Sequence, residues 1–107
     1  MKRNRKLGYA TVAILTAIKS GNRFGLEIIE NTGLTSGTVY PTLGRLTDRG
    51  FLVGQWEPET EAREEGRPPR RYYEITPDGH TALTKAVAEL VSLTAAAVEP
   101  RPADGGA

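Results

Sequence analysis

Residues 33–50 read GLTSGTVYPTLGRLTDRG, and the fold turns on how they are read. Thr35 or Ser36 can cap a helix, Leu34 and Val39 form a hydrophobic staple if Thr35 is the cap, and Gly50 ends it. Pro41 falls early, where loss of one N–H costs least, which places the start at Ser36–Thr38. Val39, Leu43 and Leu46 recur at helical spacing on one face, and Thr38, Thr42, Arg45 and Arg49 form the opposite stripe. Hydroxyls followed by guanidiniums suit entry into a major groove, because short polar groups approach base edges and Arg reaches guanine or phosphate. The solvated side of any amphipathic helix carries similar residues, so the flanking elements must decide.

Upstream, Leu7 to Ile18 is apolar around most of a helix circumference and ends at Ser20–Gly21, so it must be covered on more than one side. The basic residues before it, Lys2, Arg3, Arg5 and Lys6, imitate the start of a secretory signal. No small-x-small cleavage site follows, and the apolar run is too short to span a membrane, so a buried helix is expected. Phe24 to Glu30 repeats the helical pattern, with Gly33 as a left-handed stop. Downstream, residues 51–56 and 71–76 suit two strands, joined by the polar stretch PETEAREEGRPP, which reads as a long hairpin loop. Pro77 to Val98 forms the longest helix, capped by Thr76, and EPRPADGGA is too polar to fold.

Helix, short turn, helix and a two-stranded hairpin follow the order of a winged helix-turn-helix. The expected fold is therefore mainly α with a two-stranded β-wing. Residues 1–76 form the winged DNA-binding domain, 77–98 a C-terminal dimerisation helix and 99–107 a disordered tail. The wing is charge-segregated: residues 57–65 hold five Glu and one Arg, whereas Arg67, Arg70 and Arg71 follow on the other side. Carboxylates are repelled by a polyanion, so the arginine side should lie along phosphates while the glutamates turn to solvent.

Composition excludes much else. The 107 residues carry 14 Lys and Arg against 13 Asp and Glu, so affinity for nucleic acid must come from where charges sit. With no Cys there is no disulfide, thiolate zinc site or iron–sulfur cluster, and the usage suits the cytoplasm. The sole His, His80, has no Ser–Asp partners for a triad, and no glycine-rich phosphate cradle follows a strand. Neither an enzyme nor a cofactor or metal protein is indicated.

GTVYPTLGRLTDRGFL resembles the recognition-helix signature of the PadR-type transcriptional regulators, and GRPPRRYYEITPDG resembles their wing-to-strand signature. FGLEIIE is similar to their second helix, with Leu26 standing where the family carries Tyr. The likeness covers residues 7–83. It implies a homodimeric repressor on an inverted-repeat operator in double-stranded DNA, released in some members by a small molecule or stress signal. Thr38, Tyr40 and Arg45 match positions that approach DNA in such proteins. With these, the candidate DNA contacts are Ser36, Thr38, Tyr40, Thr42, Arg45, Arg49, Arg67, Arg70 and Arg71. A winged helix serving as a protein-interaction module is the competing reading, favoured by the acidic half of the wing.

The last helix argues for a dimer independently. Leu83, Val87, Leu90, Thr94 and Ala97 follow 4-3-4-3 spacing with Val91 beside them, an apolar patch that a second copy would cover. Residues 81–98 contain no aromatic side chain, so no stacking cage for planar drugs is expected there. Any effector would use a smaller pocket lined by Leu, Val and Thr of the first and last helices. Trp56 is expected to be half-buried against Tyr72 or Tyr73 across the hairpin.

Overall fold

A computed structural model describes residues 7–98. The expected terminal tail, residues 99–107, and residues 1–6 lie outside the described residues. Seven elements follow one another: α1 (Tyr9–Lys19), α2 (Gly25–Thr32), α3 (Ser36–Asp48), β1 (Leu52–Trp56), α4 (Glu59–Glu64), β2 (Arg71–Ile75) and α5 (Pro77–Val98). None of these helices is long and apolar enough to cross a membrane. The arrangement is the expected winged helix: three helices, an antiparallel hairpin and a long final helix.

The apolar circumference of α1 explains its position. It packs against α2, α3, α5 and β2, and its buried Ile14, Leu15 and Ile18 meet Ile28, Leu43 and Leu83 in one core. Gly33, at φ 75°, turns the chain out of α2 in the left-handed conformation that glycine adopts without penalty. Thr35 is the N-cap residue of α3, and its carbonyl accepts from the N–H groups of Thr38 and Val39. Pro41 sits farther into α3 than its reading as an early residue implied, so its missing N–H leaves the Gly37 carbonyl without a helical donor. Gly37 is exposed, and water can serve that carbonyl.

Leu52 pairs with Ile75, Gly54 with Tyr73 and Trp56 with Arg71 across the hairpin, while Phe24 bridges to Tyr72 on the other edge of β2. The stretch expected to be a plain loop contains α4. Glu59 and Glu61 favour its first turn, and Ala62 is buried beneath the wing. After it the chain doubles back, with Arg67 N–H donating to the Ala62 carbonyl at 3.1 Å.

The junction between wing and α5 is tightly built. Thr76 Oγ1 donates to the Gly50 carbonyl at 2.6 Å and accepts from Gly79 N–H at 3.0 Å, capping α5 as expected. Gly79 is a glycine because any side chain there would collide with the Phe51 carbonyl oxygen. Leu83 and Ala86 then complete the core, so Leu83 is satisfied within its own chain and is not available to a partner as its heptad position suggested. Farther along α5, Val87, Leu90, Val91 and Leu93 are exposed.

Candidate nucleic-acid interface

The two faces of α3 are set by burial. Val39, Thr42, Leu43 and Leu46 face the core, and Ser36, Gly37, Tyr40, Pro41, Gly44 and Arg45 face solvent. Thr42 is only 2% exposed, which corrects its place among the candidate base contacts. It lies three residues from Val39 and four from Leu46, inside the apolar arc of a helix. Its hydroxyl accepts from Arg45 Nη2 at 3.0 Å, so Thr42 holds that guanidinium from within the core face. Thr38 is half-buried, its hydroxyl 3.3 Å from that of Thr35. Tyr40 stands out of α3 and lies against Gly25 of α2, where an added Cβ would come within 2.6 Å of the ring carbon Cζ. Arg49 closes the helix with its guanidinium 4.7 Å from the centre of the Phe51 ring.

The wing's arginines divide into two kinds. Arg67 grips Glu57 with both terminal nitrogens, Nη1 to Oε1 at 2.6 Å and Nη2 to Oε2 at 2.8 Å, and also reaches Glu65 at 3.3 Å. The hydrogen bond from Arg67 outweighs the cost of burial and, with the Arg70 N–H, lowers the Glu57 pKa from 4.5 to about 2. The same pairing raises the Arg67 pKa. Arg67 is therefore a clasp inside the wing, with its donors turned to protein and away from any phosphate. The Arg70 guanidinium carbon sits 4.1 Å from the centre of the Phe24 ring, and that of Arg71 sits 5.4 Å from the centre of the Trp56 ring and 5.8 Å from that of Tyr73. Trp56 is 61% exposed, more than the expected half-burial, and the register sets it directly opposite Arg71 and not opposite either tyrosine.

Sorting the described arginines by partner exposes the surface's electrostatic design. Arg23, Arg63 and Arg67 pair with glutamates, whereas Arg45, Arg49, Arg70 and Arg71 have no carboxylate within ion-pair distance among the described residues. Arg45 lies on α3, Arg49 caps its C-terminus, Arg70 immediately precedes β2 and Arg71 begins it. Tyr40, Arg70 and Arg71 border one open cleft of about 400 Å³ between α2, α3 and the wing, with Phe24, Leu26 and Trp56. Phe24, Gly25 and Gly54 were not among the candidate residues. Their signal is structural, being the stacking and close approach of side chains distant in sequence.

On α5, Val87, Leu90, Val91 and Thr94 line a shallow exposed groove of about 380 Å³ with Ala95. No residue of α1 lines it, in contrast to the pocket expected between the first and last helices. The Thr94 hydroxyl donates to its own Leu90 carbonyl, and the Ala97 side chain lies outside the described residues.

The profile of the transcriptional regulator PadR-like family matches residues 14–85. No curated protein matches the chain. Among solved structures, a PadR family transcription regulator from Clostridium difficile is similar at a TM-score of 0.71 and 22% identity, covering 81% of this chain and 92% of that one. A PadR-like transcription factor from Bacteroides fragilis is similar at 0.69 and 25% identity, covering 81% and 84%. Bordetella bronchiseptica BpsR, whose DNA binding is regulated by 6-hydroxynicotinic acid, is similar at 0.71 and 21% identity, covering 95% and 74%. With the family profile spanning residues 14–85 of 107 and the winged fold shared with solved members, this chain belongs to the PadR-like family of transcriptional regulators, DNA-binding proteins that control transcription.

Proposed function

We propose that the protein is a homodimeric repressor of an inverted-repeat operator, placing one α3 in each of two successive major grooves. The observation that carries this reading is the sorting of the described arginines: Arg23, Arg63 and Arg67 pair with glutamates, whereas Arg45, Arg49, Arg70 and Arg71, at α3 and the start of β2, have no carboxylate partner among the described residues. Ser36, Tyr40 and Arg45 read base edges, with Thr38 behind them. Arg49, Arg70 and Arg71 hold phosphates. Thr42 and Arg67 position their neighbours. The exposed Val87, Leu90 and Val91 support a dimer axis along α5, since a second copy would remove that apolar surface from water. A dimer seated across a promoter represses by occlusion, and a cysteine-free DNA-bound protein suits the cytoplasm.

Regulation of BpsR by 6-hydroxynicotinic acid supports a small-molecule effector here too. Such a ligand releases DNA only by binding more tightly at one angle between the two winged domains than at another. A footprint over the DNA flanking the protein's own gene tests the proposal. It should show two protected half-sites with centres roughly 34 Å apart, and affinity should fall steeply with salt. A single protected half-site, or affinity indifferent to salt, would overturn it in favour of a monomer or a protein-interaction module.

A further inference from the structure

Gly54 stands in the middle of β1, where glycine weakens a strand and offers no side chain to pack. Its backbone does not ask for glycine, because it is absent from the positive-φ residues. What occupies its side-chain space is Arg71. A Cβ added at Gly54 would lie 2.7 Å from Arg71 Nη2, 2.8 Å from Cζ and 2.8 Å from Nε. Three near-equal distances mean that the guanidinium plane lies flat on the strand. Trp56, opposite Arg71, and Tyr73, opposite Gly54, wall it on two sides.

We infer that Gly54 is a positioning residue for DNA binding: with Trp56 and Tyr73 it forms a three-sided tray that holds the Arg71 guanidinium in plane, its N–H edge turned to a backbone phosphate. The inference rests on the reading above that Arg71 touches phosphate. The guanidinium has five donors in one plane, and stacking consumes the faces while leaving the edge free. Among the described residues the Arg71 side chain has no carboxylate partner and donates no hydrogen bond. A guanidinium already fixed in plane loses less freedom when a phosphate arrives than one that searches from solvent. Lysine, a point charge without a stacking plane, cannot use the tray.

The test uses Gly54→Ala, Arg71→Ala, Arg71→Lys and the combined variants, with the full chain and a random-sequence duplex as probe, since phosphate contacts ignore sequence. The displaced group is the far end of a flexible side chain, so Gly54→Ala should fold with a melting temperature no lower than wild type. The emission of Trp56, the sole tryptophan, should shift as Arg71 leaves its ring. Affinity should fall about 3- to 10-fold, the scale of one lost charge-assisted contact, to the level of Arg71→Ala. The same glycine replacement should have no effect once residue 71 is Ala or Lys. If Gly54→Ala does not fold, Trp56→Ala removes one exposed wall and should lower affinity only while Arg71 is present. Wild-type affinity in Gly54→Ala, or a loss that persists without Arg71, overturns the tray and leaves the repressor reading standing. Wild-type affinity in Arg71→Ala removes this phosphate contact and the tray with it, whereas a wild-type protein that binds neither this duplex nor the DNA flanking its own gene refutes the repressor reading itself.

Discussion

The recognition helix and the wing present their side chains by different physics. α3 is held by Val39, Leu43 and Leu46, which are buried in the shared core, so its orientation follows from apolar area removed from water. The wing buries only Leu52 and Ala62 of its apolar side chains, and its tip is shaped by the Glu57–Arg67 clasp and by guanidiniums stacked on rings. The surface proposed to read bases is thus fixed by core packing. The surface proposed to follow a phosphate backbone is fixed by polar and stacking contacts that respond to solution conditions.

The comparison breaks most completely at the core. Leu43→Ala should destabilise the fold by about 2–5 kcal/mol, visible as a lower melting temperature with loss of DNA binding, because Leu43 is fully buried. Replacing exposed Trp56 by Ala should leave the stability, read from thermal melts, within about 0.5 kcal/mol of wild type.

Next in size is the coupling of two copies of each element. Leu90→Glu places a charge in the proposed apolar seam, while Leu90 itself is exposed in the single chain and not needed for its fold. Sedimentation should show a folded monomer, and operator affinity should drop by about 100-fold or more as two linked half-sites become one.

Within a protomer, Arg45→Ala should cost about 1–3 kcal/mol and relax base preference, the signature of a side chain that reads a base edge. Arg70→Ala should weaken all sequences alike and lower the salt dependence by about one phosphate contact. Uniform loss in both variants, measured across operator mutants, would demote Arg45 to a phosphate contact and erase the division of labour.

The smallest expected effect is on pH. Glu57 has a depressed pKa in the folded chain, so its stabilising contribution is complete above the ordinary value of 4.5 and is lost as the pH falls from there through about 2. Thermal melts of wild type and Glu57→Gln should differ by a constant amount above about pH 5 and converge below it. A difference that grew on acidification would mean that the clasp does not order the wing.

Much of this was legible in the sequence because it is written locally. Gly33, Thr76 and Pro77 punctuate the chain by rules that need no knowledge of distant residues, and α5 begins where they put it. The sequence is silent where long-range contacts decide. Thr42 looks like its polar neighbours, but the apolar arc of α3 is wider than a single line of Val and Leu and takes it in. Arg67 looks like a free cation because Glu57 is ten residues away, and only the folded wing brings them together. α4 hid in a stretch rich in Pro and Gly, although Pro58 before it and the Glu59–Arg63 pair at i,i+4 are helix signals. The seats at Gly25 and Gly54 follow from tertiary packing alone.

The joint at Thr76 and Gly79 has a mechanical consequence. With Thr76 bonded to Gly50 and Gly79 pressed against the Phe51 carbonyl, α5 is held closely where it leaves the winged domain. Its 22 residues make a rod of about 33 Å, so a tilt of about 10° at a proposed two-fold axis becomes a displacement of about 6 Å at the opposite end. A shift of that size is comparable to one turn of an α-helix. In the proposed dimer, the tight joint at Gly79 would pass that displacement on, so that a small event at the axis changes the spacing of the two winged domains.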